Sequence, residues 1–179
     1  LKVDTGMRRI GMEPDEGGIE LVKKIKSLPH LNARGIFTHF AASDEADKTS
    51  AERQYEKFNR FTEKLEQEGI TFEIKHCANS AAVIDMPDTH KDMVRLGIAM
   101  YGMYPSDEVD KSRIELHPAM ELKSHVTMVK TVQEGERVSY GGTFVTKKTT
   151  KLATISVGYG DGYPRALSSK GYVLIRGKK

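Results

Sequence analysis

Three side chains able to hold protons or anions each stand at or near the end of a short, strand-like run: His39 closes Ala33–His39, His76 closes Phe72–His76, and Arg95 lies within Met93–Leu96. An imidazole titrates near neutral pH, whereas a guanidinium keeps its proton. Arg9 lies just beyond a fourth run, Lys2-Val3-Asp4. Asn79 and Ser80 follow one of the later runs, and Gly97 and Ile98 follow another. A helix starting at Gly97 would offer free backbone N–H groups and a positive dipole end, which suits a phosphate. The stretch Phe72–Gly102 therefore reads as a phosphate cup, with Arg95 reaching toward whatever carries the phosphate. Farther on, Tyr159 sits in Gly158-Tyr159-Gly160-Asp161-Gly162. That string serves equally well as a plain tight turn. An unperturbed phenol titrates near pH ~10, so Tyr159 needs a neighbouring cation to act as a base at neutral pH.

The elements that would position these residues alternate. Pro14–Leu28 reads as a helix with Leu21, Val22, Ile25 and Leu28 on one face. Thr49 and Glu52 have capping-box spacing. The helix after them puts Tyr55, Phe58, Phe61 and Leu65 on one face and stops at Gly69. A short helix is expected from Asn79 to Ile84. Strands around Val3, Ile36, Ile74 and Val94 would then make βα units and a parallel sheet. Four units are half of an eight-stranded barrel, whose active sites lie at the C-terminal ends of the strands. After about Leu116 helices vanish. Leu122, Val126, Met128 and Val132 alternate, and Arg137–Tyr140, Leu152–Val157 and Tyr172–Ile175 are further strand candidates. Residues 1–116 and 117–179 are the expected domains.

Composition narrows the classes. With 28 basic and 25 acidic residues mixed along 179, the formal net charge is +3. No basic block marks a nucleic-acid face, and no apolar run reaches membrane-spanning length, so neither partner is expected. Cys77 is the single cysteine, which is compatible with a reducing cytoplasm. His39, His76, Asp44, Glu45 and Cys77 match no zinc spacing, so no metal is expected. Nothing local activates Cys77 as a nucleophile. The opening at Leu1–Asp4 reads as the last part of a strand and Tyr172–Ile175 as one arm of a hairpin. The expectation is a piece of a longer chain, poorly stable alone because a half-barrel leaves edge strands unpaired.

KVDTGMRRIG, FTHFAASDE, HCANSAA, MVRLGIAMYG, RVSYGGTF and VGYGDGYPR together resemble the alanine racemase family, in its order and at its approximate spacing. The resemblance implies an α/β fold: the second half of a pyridoxal-phosphate-binding (β/α)8 TIM barrel, strands five to eight, then the start of a C-terminal all-β domain. It implies a pyridoxal 5'-phosphate enzyme interconverting L- and D-alanine with two bases, supplying D-alanine for peptidoglycan. Tyr159 is similar to the family's catalytic tyrosine, His39 to the histidine bonded to it, and Arg95 to the arginine facing the cofactor ring nitrogen. Such an arginine keeps that nitrogen unprotonated and makes the cofactor a weaker electron sink. Ser80, Gly97 and Ile98 match the phosphate ligands, and Arg9 the arginine near the substrate carboxylate and the cofactor's phenolic oxygen. Lys2 aligns with a lysine carbamylated in some members. Asn79 and His76 are expected only behind these groups. The lysine that bears the cofactor has no counterpart in this chain. A cytoplasmic homodimer is implied, with Tyr159 acting in the partner's site. Arg8 stands where some members have glycine, and Gly160 where many have alanine.

Two other readings share these residues. One is a racemase of the same fold with broad specificity, or one acting on serine or lysine. The other is a non-catalytic pyridoxal-phosphate-binding module.

Overall fold

The computed structural model describes residues 1–179, which divide into two compact units, Leu1–Met120 and Glu121–Lys179. The first is built on a small parallel sheet. β1 (Gly35–Phe37) pairs with β2 (Ile74–His76), setting Phe37 opposite His76. Leu1–Val3 runs along the other side of β1: the Val3 N–H donates to the Phe37 carbonyl at 2.8 Å, and the Phe37 N–H to that of Leu1 at 2.9 Å.

Two helices cover the sheet. α1 (Glu16–Ser27) is capped by Asp15, whose carboxylate accepts from the Gly18 N–H at 2.9 Å. Pro14 thus precedes the cap rather than sitting in the first turn. The buried stripe is Gly18, Ile19 and Val22; of the expected face Val22 is buried and Ile25 half-buried, while Leu21 and Leu28 are exposed. Leu28 is the C-cap with extended backbone, so it leaves the helical face, and Leu21 is displaced a quarter-turn from Val22 toward solvent.

α2 (Thr49–Gln67) buries Phe58, Phe61 and Leu65 as its spacing predicts. They join Val3, Ile19, Val22 and Ile36 in the main core. Fully burying each large apolar side chain contributes about 2–3 kcal/mol. The expected capping box does not form. Thr49 is already helical, and Asp47 takes both its N–H and its hydroxyl, at 2.9 and 2.5 Å.

α3 (Ser80–Asp85) is capped by Asn79, whose side-chain oxygen accepts from the Ala82 N–H at 3.1 Å. Met93–Leu96 is not the fourth strand. It lies beside β2 through two separated bonds, Asp92 N–H to the Lys75 carbonyl and Arg95 N–H to that of Ala78. The Asp92 carboxylate takes the Lys75 N–H at 2.7 Å, the donor a continuous ladder would need. Gly97 precedes only a four-residue 3-10 turn, Ile98–Tyr101.

In the second unit β3 (Val126–Val132) pairs antiparallel with β6 (Thr150–Ile155), and β4 (Arg137–Val138) with β5 (Phe144–Val145). Leu122 falls outside β3. Buried Thr146 ties the intervening turn, its hydroxyl donating to the Gln133 carbonyl at 2.6 Å and accepting from the Glu136 N–H. Tyr172–Ile175 is not a strand. Its end folds back on itself through a single bridge between Ile175 and Lys178. No helix is long and apolar enough to cross a membrane.

Candidate active site

Parallel pairing brings the C-terminal ends of β1 and β2 together, and Arg95 reaches across both. One guanidinium nitrogen, Nη1, lies 2.5 Å from His76 Nδ1. The other, Nη2, donates to the Thr38 carbonyl at 2.7 Å, to the Cys77 carbonyl at 3.2 Å and to His39 Nδ1 at 3.2 Å. A guanidinium has donors only. Both Nδ1 atoms must therefore accept, which leaves each neutral imidazole its proton on Nε2.

The electrostatics run the same way. Burial, with Arg95 adding to it, pushes His76 down to about 4. His39 is lowered by burial and then by Arg95, Arg9 and Lys2. Burial also lowers Arg95 itself, with Cys77 opposing. No carboxylate lies within ion-pair distance of Arg95, although the other ion pairs of this unit are numerous. The His76 ring stacks on Phe37 at 4.8 Å, and the Arg95 Cζ lies 5.2 Å from the Phe37 ring centre. Arg95 is thus a half-buried cation held by neutral acceptors, which makes it a functional-site candidate.

Ser80 is buried at the start of α3. Its hydroxyl oxygen accepts from the Gly97 N–H at 2.8 Å and the Ala99 N–H at 3.3 Å, which leaves its own proton to donate outward. The Ile98 N–H opens the 3-10 turn and is not used within it. A turn this short has little macrodipole, so any anion affinity here comes from individual N–H and O–H donors. A Cβ built on Gly97 would stand 3.7 Å from the Ser80 oxygen and fill the space over the hydroxyl. His39, Asp44, Ser80, Arg95, Gly97 and Ile98 line one cleft. A phosphate ester fits the donor end of that cleft, and a neutral ring nitrogen fits the cation.

The remaining candidates are placed less centrally. Asn79 caps α3 and accepts from the Ser43 hydroxyl at 2.8 Å. His76, expected only behind the site, is the shortest partner of Arg95. Lys2 donates to the Ile10 carbonyl at 3.2 Å; burial lowers its pKa, with Arg9 and Arg95 adding and Asp4 opposing. Arg9 is exposed and makes no hydrogen bond, so only its charge reaches His39 and Lys2. Its neighbour Arg8 holds a left-handed φ of 56° and pairs with Glu13. Such a backbone explains why glycine is at home there. Cys77 is buried, pushed up to about 11 by burial, and donates to the Thr89 carbonyl, so it stays a thiol.

Tyr159 belongs to the second unit. It opens a 3-10 turn, Tyr159–Asp161, closed by the Asp161 carboxylate accepting from the Gly158 N–H at 2.9 Å. Tyr159 is 69% exposed and lines a cleft with Tyr140 and Arg165. A Cβ on Gly160 would meet nothing within 4 Å, so alanine fits there within this unit.

Sequence reading missed the carbonyls of Thr38 and Cys77, the Phe37 platform and Gln54. Backbone acceptors leave no trace in side-chain pattern. Gln54 did leave one: it is a polar residue four before Phe58 on the apolar stripe of α2.

Two family models match the chain, the alanine racemase N-terminal domain over residues 1–105 and the alanine racemase C-terminal domain over 119–179. An alanine racemase of Desulforamulus reducens is 50% identical over 179 residues, covering 100% of this chain and 48% of that protein. One of Methanococcus maripaludis is 51% identical over 177 residues, covering 99% and 47%. Among solved structures, alanine racemase of Clostridium difficile 630 superposes with a TM-score of 0.87 at 42% identity, over 92% of this chain and 43% of that one. Alanine racemase from a D-cycloserine-producing Streptomyces lavendulae gives 0.87 at 39% identity, over 99% and 47%. The chain spans about half the length of the relatives it matches. The fold class is the expected one, part of a (β/α)8 barrel followed by the opening of a β domain.

Proposed function

This chain belongs to the alanine racemase family, and from that premise we propose that the whole protein interconverts L- and D-alanine with pyridoxal 5'-phosphate, supplying D-alanine for peptidoglycan. The observation that carries the reading is Arg95, a desolvated cation with two neutral histidines and no carboxylate. When bound, the cofactor acidifies the amino acid's α C–H by withdrawing electron density from it.

The residues of this chain divide the remaining work. Ser80 donates its hydroxyl and Ile98 its N–H to the cofactor's phosphate, while the Gly97 N–H, donating to the Ser80 oxygen at 2.8 Å, aims that hydroxyl. Arg95 faces the ring nitrogen and, because it does not give up its proton, keeps that nitrogen unprotonated. His39, with Nδ1 occupied by Arg95, has only its Nε2–H to offer, and in the homodimer it would donate to the oxygen of the partner subunit's Tyr159. That bond, backed by the Arg95 charge, stabilises the phenolate and brings its pKa toward the working range. Tyr159 takes the α-proton from L-alanine on one face, and a base outside these residues serves the other face. Racemisation needs two opposed bases because the proton leaves one side and arrives on the other. Arg9 holds the substrate carboxylate.

The same reading makes the protein a cytoplasmic homodimer in which Tyr159 serves the partner subunit. It also makes Lys2 a candidate for carbamylation, which starts from a neutral amine and would appear as a carbamate signal in NMR with labelled bicarbonate. The test of function uses the full-length protein loaded with the cofactor, following L-alanine to D-alanine. Tyr159→Phe should cut that rate by on the order of a hundredfold or more while the cofactor's absorption is retained. An unchanged rate would overturn the assignment.

A further inference from the structure

We infer that Gln54 is the positioning residue for His39, fixing the backbone turn from which the imidazole meets Arg95. Gln54 lies on the buried stripe of α2 and is only 4% exposed. Its amide is used on both sides. The oxygen accepts from the Ala41 N–H at 2.8 Å, and the nitrogen donates to the His39 carbonyl at 3.1 Å and the Thr5 hydroxyl at 3.3 Å. One side chain therefore grips the peptide on either side of Phe40, which is itself buried at 1% exposure.

The neighbouring turn makes room for Gln54: Gly6, at φ +149°, would bring a Cβ to 3.2 Å from the Gln54 Cγ. The His39 Nδ1–Arg95 bond is the longer of the two histidine contacts, 3.2 Å against 2.5 Å. His76 is seated by its stacking on Phe37. His39 has no such ring partner, so its placement depends on the main chain that Gln54 holds. A misplacement of about 1 Å costs on the order of a hundredfold in rate.

The inference rests on the relay reading above, and its test separates the two. In the full-length enzyme carrying pyridoxal phosphate, Gln54→Met removes both amide functions at nearly constant volume. Gln54→Glu keeps the acceptor for Ala41 and is read where the Met variant does not fold. Two quantities are measured: the His39 titration by NMR of histidine-labelled protein, and the pH profile of kcat/KM. His39 faces Arg95 from the 93–96 segment, Arg9 and Lys2 from the N-terminal segment, and Asp44 across the cleft. Released from Arg95, it should titrate at higher pH. The acid limb of kcat/KM should move up with it, and kcat/KM should fall tenfold to a hundredfold. A variant with a lower Tm but an unmoved His39 titration and acid limb would show Gln54 to be merely structural and overturn the inference. If His39→Ala leaves racemisation at full rate, the relay reading fails, while the Gln54 inference is still judged by the titration.

Discussion

Arg95 Nη1 lies 2.5 Å from His76 Nδ1, and the bond has one sense only, because a guanidinium cannot accept. His76 is thereby held in its neutral form down to about pH 4. The histidine that sequence reading left behind the site is the one most tightly coupled to its cation.

That coupling makes stability depend on pH. The His76 pKa falls from 6.5 to about 4 on folding, burial being the larger cause and Arg95 the next. Between those values the unfolded chain binds the extra proton and the folded chain does not, so stability rises with pH across the window and is lost as pH falls toward 4. Asp4 acts in the same direction at lower pH: burial alone would raise its pKa, but backbone N–H donors from Arg8 and Gly6 leave it lowered. In the full-length protein, His76→Gln should flatten the slope of Tm against pH between about 4 and 6.5. An unchanged slope would show that His76 is not the titrating group.

Gly97 tests the phosphate cup. A side chain there fills the space over the Ser80 hydroxyl without a backbone clash. Gly97→Ala in the full-length protein should leave Tm within a few degrees and weaken cofactor binding by about tenfold, equivalent to roughly 1.4 kcal/mol. Cofactor titration by absorbance reads the change, and undiminished affinity would place the phosphate elsewhere.

The loop after β1 has its own fastening. The Lys48 ammonium donates to Asp85 at 2.7 Å and to the carbonyls of Ser43 and Glu45. The pair is largely buried, with 19% and 7% of the side chains exposed. Removing one partner strands the other, so Lys48→Met should cost about 3 kcal/mol. Lys48→Met with Asp85→Asn should recover part of that. A double-mutant cycle on thermal or denaturant unfolding measures the coupling, and simple additivity would mean the two residues act separately.

What could be read from the sequence, and what could not, divides along physical lines. Phe58, Phe61 and Leu65 were legible because a long helix repeats its apolar face several times. The gathering of His39, His76 and Arg95 was legible because parallel strands bring their C-terminal ends together. Met93–Leu96 misled because its composition suits a strand, whereas a single carboxylate, Asp92, takes the N–H that pairing required. The Thr49–Glu52 box misled for a similar reason: Asp47 competed for the same donors. Leu28 belonged to the helical period but not to the helix. Local side-chain competition for backbone groups, invisible in periodicity, accounts for the first two of these differences.

We propose that Arg95 governs the chemistry of this site through its fork of donors. Arg95→Lys keeps the charge but presents a point ammonium that cannot serve two histidines and two carbonyls together. In the full-length enzyme carrying pyridoxal phosphate, kcat for alanine racemisation should fall by on the order of a hundredfold with the cofactor still bound. A kcat within about twofold of the parent would contradict the account, since a hydrogen-bonding fork worth so little (under ~0.5 kcal/mol) is not what the site is built on.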